Sequence, residues 1–339
     1  MVADLRETSA RPTTDDLPVT AETIETAAAG LRRYLPPSPL QYSRAFTAKA
    51  GCHVHLKIEG VQPTRSFKVR GALNKLIRIP PEQRAAGVIT ASAGNHGQGV
   101  AYAAAAFGVP ATVYVPDNAN PLKVQAIKRL GGRVVHFGRS YNEAYLEARR
   151  AQEAGDATFV HAFDDPDVVA GQGTLAVELL EQLDQLSEGV DTVLVPVGGG
   201  GLISGIARYL EARRPDVQVL GVEPSGADAL SRSLEEERLV TLDHVATMAD
   251  GLAASAPGPL TLRIARACVD GMIRVEESEM LRAIRLFFEW EHLLAEPAGA
   301  AALAALLYHH TPRASERVLV ILSGANVTDD VMVRALRAR

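Results

Sequence analysis

Val88-Ile89-Thr90 runs straight into Ala91-Ser92-Ala93-Gly94-Asn95-His96-Gly97-Gln98-Gly99, and an alanine-rich stretch follows to Phe107. A short apolar, β-branched run reads as a buried strand, the glycines as a turn, and the stretch Gly97 to Phe107 as a helix. The same phrase repeats downstream. Ala111 to Val115 is a predicted strand and Pro121 to Leu130 a helix; Arg133 to Phe137 a strand and Tyr141 to Glu153 a helix; Thr158 to His161 a strand and Val168 to Leu183 a helix. Thr192 to Val197, Leu202 to Arg213 and Val217 to Glu223 continue as strand, helix, strand. This alternation requires right-handed crossovers and gives an α/β fold with parallel sheets covered by helices on both faces.

Toward the N-terminus, Ile24, Ala27, Ala28 and Leu31 recur at helical spacing, which predicts a helix over Thr20 to Leu35 that ends at Pro36-Pro37. Thr20 is its candidate cap, without the glutamate of a capping box. Val54 to Ile58 alternates like a strand, with His55 and Lys57 on the face opposite Val54, Leu56 and Ile58, so Lys57 is expected to be solvated. Next comes Ser66-Phe67-Lys68-Val69-Arg70-Gly71-Ala72, leading into an apolar helix that runs to Ile79. A lysine at a helix start is mildly disfavoured by the macrodipole. Partly desolvated, such an amine loses its proton readily and becomes a nucleophile or Schiff-base partner. Toward the C-terminus, Ser225 to Thr247 is charged and less periodic, and its Glu235-Glu236-Glu237 run reads as a solvated helix face. Helices are predicted over Glu277 to Leu294 and Pro297 to Tyr308, with close packing at Ala302 to Leu307, and a last buried strand over Val318 to Leu322.

A chain of 339 residues, 47% hydrophobic and 22% charged, is an ordinary globular composition and long enough for two domains. A net charge of −5 argues against a sequence-independent nucleic-acid binder or an anionic-membrane binder. The two cysteines, Cys52 and Cys268, form neither a disulfide framework nor a zinc pattern, which fits a reduced cytoplasmic setting. Residues 1–16 are polar, lack a secretory pattern and are expected to form a flexible tail. No apolar run reaches the length of about 20 residues that a membrane helix needs.

Three strand-to-loop junctions carry chemistry. The loop Ser92 to Gly99 opens a helix, whose free N–H groups suit an anion, and its glycines let a ligand approach the backbone. The plainer reading is a tight turn capped by Ser92 or Asn95. His96 reads as a packed histidine before a general base. Gly198-Gly199-Gly200-Gly201-Leu202 also runs from strand to helix and can wrap a phosphate in N–H groups. It is neither a Walker loop nor G-x-G-x-x-G. Glu223, about 20 residues on, stands where a ribose-binding acid would lie, so an NAD(P)-dependent oxidoreductase is a rival. Ser323, in Leu322-Ser323-Gly324-Ala325-Asn326, ends the last strand and offers a neutral hydrogen-bond partner.

Together, Ser-Phe-Lys-x-Arg-Gly-Ala, Ser-Ala-Gly-Asn-His-Gly, Val-Gly-Gly-Gly-Gly, Glu296-Pro297-Ala298-Gly299-Ala300 and Ser-Gly-Ala-Asn, in that order, resemble the fold-type II pyridoxal-phosphate enzymes. Within them the chain is similar to the threonine/serine dehydratase (ammonia-lyase) and serine racemase branch, from about Leu31 to Val327. The resemblance implies two open, mainly parallel twisted sheets of the tryptophan synthase β type. It implies that Lys68 carries pyridoxal 5'-phosphate and is the catalytic base, and that Asn95 meets the pyridine hydroxyl. Gly198, Gly199, Gly200, Gly201 and Leu202 would hold the phosphate, and Ser323 would face the pyridine nitrogen. Ser92, Ala93, Gly94 and His96 would grip the substrate carboxylate. The reaction implied is loss of water from a threonine- or serine-type 3-hydroxy amino acid, giving a 2-oxo acid and ammonia. A serine at the ring nitrogen makes a weaker electron sink than a carboxylate would, which favours prompt loss of a β leaving group.

Departures from the pattern refine this. Ala93 stands where racemases of the branch carry a second serine, so a dehydratase is favoured over a serine racemase. Arg65 replaces a small residue; it is expected at the surface, but facing inward it would favour 3-hydroxyaspartate. Ala229 stands where some relatives carry a cation-binding aspartate six residues after the glutamate at Glu223, so no metal site is expected. Lys68-Val69-Arg70 departs from the Lys-Asp-Arg usual in cysteine synthase relatives, which perform β-replacement. The resemblance further suggests a homodimer or homotetramer, a small mobile domain over 88–164, and a large cofactor-binding domain from 17–87 and 165–339. The chain ends soon after its last predicted strand, so feedback by isoleucine through an added domain is not expected. No nucleic-acid or membrane partner is expected.

Overall fold

A computed structural model describes residues 3–4 and 12–338. Among these, the strands form two sheets. The first has seven strands in the order β1 (Ala3–Asp4), β10 (Gly271–Val275), β9 (Gln218–Pro224), β8 (Thr192–Pro196), β11 (Arg317–Leu322), β3 (His53–Ile58) and β2 (Leu40–Tyr42). The second has four, in the order β6 (Arg133–His136), β5 (Ala111–Val115), β4 (Val88–Ala91) and β7 (Thr158–Phe159). All pairings are parallel except those of the edge strands β1 and β2. The α/β class and the two mainly parallel sheets therefore stand. Of the expected tail, residues 1–2 and 5–11 lie outside the described residues, while β1 pairs with Met272 and Gly271 of β10.

The helices are α1 (Ala21–Leu31), α2 (Arg44–Ala50), α3 (Lys68–Arg78), α4 (Asn95–Ala106), α5 (Pro121–Arg129), α6 (Tyr141–Glu153) and α7 (Pro166–Leu186). After them come α8 (Gly201–Arg213), α9 (Ala229–Glu235), α10 (Pro259–Cys268), α11 (Glu277–Glu291), α12 (Pro297–Tyr308) and α13 (Asp329–Arg337). On one face of the large sheet, α1, α7, α8 and α10 bury Ile24, Leu175, Ile206 and Ile264 against Val193 and Val195. On the other face, α11 and α12 pack against Val54, Leu56, Val318 and Val320. Alanine and glycine fill α12 so that it lies close to the strands. A Cβ on Gly299 would come within 2.2 Å of the Gly324 carbonyl oxygen, just past β11. No helix among the described residues is long and apolar enough to cross a membrane.

Several local expectations change. The first helix ends at Leu31, one turn before the prolines, and Thr23 replaces the missing glutamate of the capping box. Its backbone N–H donates to Thr20 Oγ1, and its own Oγ1 accepts from the Thr20 N–H. The Glu235-Glu236-Glu237 run straddles the end of α9, with Glu237 at φ 52°. Lys57 is not solvated. β3 is an interior strand covered on both faces, and the Lys57 amine is fully buried under α7. There it donates to Glu178 Oε2 (3.1 Å), Gln182 Oε1 (2.7 Å) and the Ser38 carbonyl (2.7 Å). A polar residue alternating with apolar ones signals solvent only where one face is open, and here neither is.

Candidate active site

Parallel strands deliver their loops to one end, and the two sheets face each other across a cleft of about 690 Å³ at their carboxyl ends. β4 delivers Ser92 to Gly94 and the start of α4, β8 the glycine run, and β11 delivers Ser323. The loop after β3 leads to Lys68 at the start of α3. Every residue that the resemblance assigns to pyridoxal phosphate or the substrate carboxylate lines this cleft: Lys68, Ser92 to His96, Gly198 to Leu202, and Ser323.

The Lys68 amine donates to the Ala162 carbonyl (2.8 Å) and lies 5.2 Å from the Phe67 ring centroid. Burial alone pushes its pKa down from 10.5 to about 8. The neutral, nucleophilic form is therefore within reach near physiological pH. Lys57 shows the contrast: it too is depressed by burial, but Glu178 opposes the shift.

The loop after β4 is not capped as a plain turn would be. Gly94 is the N-cap of α4 and supplies no side chain, which leaves the first N–H groups of the helix for a ligand. Ser92 Oγ accepts the Gly94 N–H instead (3.2 Å). Asn95 points away from its own helix: its Nδ2 donates to Glu296 Oε1 (2.6 Å), and its Oδ1 accepts from Asn326 Nδ2 (2.7 Å). His96 is a packed histidine. One ring nitrogen meets the Val160 carbonyl (3.0 Å), and burial, with Lys68 nearby, lowers its pKa to about 3. The neutral ring spends its one N–H on the Val160 carbonyl, so any grip on a carboxylate at this position comes from the backbone N–H.

Within the glycine run, Gly200, at φ 91°, caps α8 without a side chain, and Gly201 is the first residue of the helix. Thr261 Oγ1 donates to the Gly199 carbonyl (2.8 Å), which ties the turn to the first turn of α10. A Cβ on Gly199 would stand 2.3 Å from the Phe163 ring, so only glycine fits. A backbone cradle with no side chains, opposite an amine lacking a carboxylate partner, fits an anionic aldehyde such as pyridoxal phosphate. Ser323, nearly buried, holds its hydroxyl 3.4 Å from the Ala298 carbonyl.

Sequence reasoning assigned no role in the site to Phe163, Thr261, Lys123, Asp250 or Glu296. Glu296 had a signal: a glutamate heading the otherwise uncharged run Pro297 to Leu307. It makes no cap bond to α12 but reaches Asn95. Burial, and then the charge of Asp250, push its carboxyl up to about 7, against the Asn95 hydrogen bond and Lys123. Two other residues lie off the site. Arg65 is exposed, at φ 58°, and outside the cleft lining. Glu223 is buried beneath α9, accepting from the Leu230 and Ser231 N–H groups (2.9 and 2.8 Å) and from Ser231 Oγ (2.6 Å). Its oxygens are committed there, not to a ribose. Asp228 pairs with Arg232 and Arg274.

Comparison with known proteins places these motifs in a wider set. The profile of the family described as "Pyridoxal-phosphate dependent enzyme" matches residues 31–324. The L-threonine ammonia-lyase of Geobacter sulfurreducens is 44% identical over 304 residues, 90% of this chain and 75% of that protein. The processed form of threonine deaminase isoform 2 from Solanum lycopersicum superposes with a TM-score of 0.91 at 31% identity, covering 100% of this chain and 97% of that one. Maize serine racemase superposes with a TM-score of 0.88 at 34% identity, covering 94% and 97%.

Proposed function

Since the chain belongs to the pyridoxal-phosphate dependent enzymes, we propose that it is an ammonia-lyase that converts L-threonine to 2-oxobutanoate and ammonia. Pyridoxal phosphate is its cofactor and β-elimination its chemistry. When bound, the cofactor supplies an electron-withdrawing ring conjugated with the substrate's amino nitrogen.

The observation that carries the reading is Lys68: an amine in the cleft with a depressed pKa and no carboxylate to hold its proton. Lys68 is the residue that would hold the cofactor through its aldehyde, and its amine in the free, neutral form would take the proton from Cα. The N–H groups at the start of α4 bind the substrate carboxylate, and those of Gly198 to Leu202 bind the cofactor phosphate. Ser323 offers the ring nitrogen a hydrogen bond without a charge. Loss of the β-hydroxyl as water, followed by tautomerisation and hydrolysis of the released enamine, balances as one threonine giving one 2-oxobutanoate and one ammonia.

A serine racemase must also protonate Cα from the second face. Ala93 lines the cleft at the position in question and carries no exchangeable proton, so elimination is favoured. The case for 3-hydroxyaspartate rested on an inward Arg65, which is exposed and outside the cleft. The oxidoreductase rival needed Glu223, which is occupied beneath α9. The protein works as a cytoplasmic homodimer or homotetramer. Residues 88–164 move as a small unit over substrate bound to the rest of the chain.

The test is incubation of purified enzyme with L-threonine, L-serine and 3-hydroxyaspartate, following 2-oxo acid and D-serine. Threonine is expected to turn over fastest, and Lys68→Ala to abolish turnover. D-Serine formed without pyruvate, or unchanged turnover in Lys68→Ala, overturns the proposal.

A further inference from the structure

Three side chains, Asn326, Asn95 and Glu296, and the Thr64 backbone carbonyl form a hydrogen-bond chain around Asn95. Asn326 Nδ2 donates to the Thr64 carbonyl (2.9 Å) and to Asn95 Oδ1 (2.7 Å), which uses both of its hydrogens. Asn95 Nδ2 then donates to Glu296 Oε1 (2.6 Å) and keeps one hydrogen over, in a residue that lines the cleft. A backbone carbonyl only accepts, so Thr64 fixes the Asn326 amide, and Asn326 in turn fixes the Asn95 amide. Reversing Asn95 would set two amide donors face to face at Asn326. Glu296 keeps an oxygen that accepts in either protonation state, so it agrees with this direction without setting it.

We propose that Asn326 and Glu296 are positioning residues: Asn326 fixes which end of the Asn95 amide is presented to the cofactor, and Glu296 holds that amide in place by accepting from its Nδ2. The anchor is well built. The segment before Lys68 is stitched to the end of β11, with Phe67 N–H donating to the Ser323 carbonyl (3.0 Å) and Ala325 N–H to the Arg65 carbonyl (2.8 Å). Ser66 pairs with Gly324 in the same stretch. The backbone that places Lys68 and Ser323 thus also places Thr64 and Asn326. Glu296 is held at the same turn, its N–H donating to the Gly324 carbonyl (3.1 Å). The Asn95 amide is therefore set relative to the lysine, not merely to its own helix.

The inference rests on the reading of Asn95 as a cofactor contact, and the experiment separates the two. Pyridoxal-phosphate affinity and the absorption maximum of the loaded protein are measured for Asn326→Asp, Glu296→Met, Glu296→Gln and Asn95→Ala, with apoprotein melting as a folding control. Asp at 326 accepts where donation is needed, and Met at 296 offers only a weakly accepting thioether in place of a carboxyl oxygen. Both are expected to bind about tenfold or more weakly, with a shifted absorption maximum. Gln at 296 still offers a carbonyl oxygen and is expected to restore wild-type affinity and spectrum. If either Asn326→Asp or Glu296→Met folds and matches wild type while Asn95→Ala does not, the positioning chain is wrong. If Asn95→Ala itself matches wild type, the reading of Asn95 falls instead. Should Asn326→Asp not fold, Glu296→Met against Glu296→Gln decides alone.

Discussion

Lys57 is fully buried and Lys68 half-buried in the cleft wall, and their partners separate them further. Lys57 meets Glu178, 121 residues away in the chain, whereas Lys68 meets a carbonyl. No pattern in the sequence announces a partner at that distance, and for that reason Lys57 reads as solvated. Lys68, Asn95 and Ser323 were legible because each sits in a local motif at a strand-to-helix or strand-to-turn junction. Glu296 was quoted in a motif but given no role, since its partners lie 201 residues back, at Asn95, and in the fold around Asp250. An amine that meets a carbonyl and not a carboxylate has a thermodynamic signature. With its pKa at about 8 when folded and 10.5 when unfolded, the unfolded chain binds more protons between those values. Apoprotein stability therefore rises with pH from about 8 to 10.5 on account of this group. Below pH 8 the cost of the buried charge is present in full. In Lys68→Met that cost is gone, so the variant's melting temperature relative to wild type is expected to be highest below pH 8. The difference is expected to shrink steadily as pH rises to 10.5. A flat difference across that window would mean that Lys68 keeps an ordinary pKa.

At the scale of elements, the start of α3 is held from beneath by a buried cluster of charges. Arg70 donates to both oxygens of Glu59 (2.7 and 2.8 Å) and both of Glu178 (2.7 and 2.8 Å), and Glu178 also takes Lys57. Burial opposes the Arg70 charge, but Glu59 and Glu178 keep it firmly protonated. The cluster ties α3 to α7 and to the loop after β3, two residues from Lys68. Removing one member strands the others as buried, uncompensated charge, which typically costs about 3–5 kcal/mol. Arg70→Met is expected to lower the urea midpoint of the apoprotein by a corresponding amount. A loss near the fraction of a kcal/mol typical of surface pairs would show that water reaches the cluster. The alternating elements from β4 to β9 were legible because parallel strands buried on both faces read as short apolar runs. The elements missed include the antiparallel edge strands β1 and β2, two or three residues long and too short to show a period, and the short helix α2. Strand β10 and helices α10 and α13 were missed as well, although α10 repeats apolar residues at helical spacing, Leu262, Ala265 and Cys268.

For the whole molecule, the cleft has one wall from the small sheet and one from the large, and an ion pair spans it. Lys123, on α5, meets Asp250, in the single turn Asp250–Leu252 beside the glycine run, and both line the cleft. Asp250 is exposed, so the pair is screened by water and salt. Its worth is expected to be about 1 kcal/mol or less, too little to lock the cleft but enough to bias a closing motion. In a double-mutant cycle of Lys123→Gln and Asp250→Asn, each single change is expected to raise KM for threonine by a factor of about five or less. The two together should cost less than the product of the singles, and the coupling should fade in high salt, beyond the reach of exposed charges. Asp250 also raises the Glu296 carboxyl, and Lys123 lowers it, so the single changes should shift pH profiles in opposite directions. Asp250→Asn is expected to move the Glu296 titration below about 7, because a neighbouring negative charge is gone. Lys123→Gln is expected to move it above, because a positive one is gone. A fall in kcat of a hundredfold or more in either variant, with KM unchanged, would instead put that residue among the groups that touch the reacting atoms.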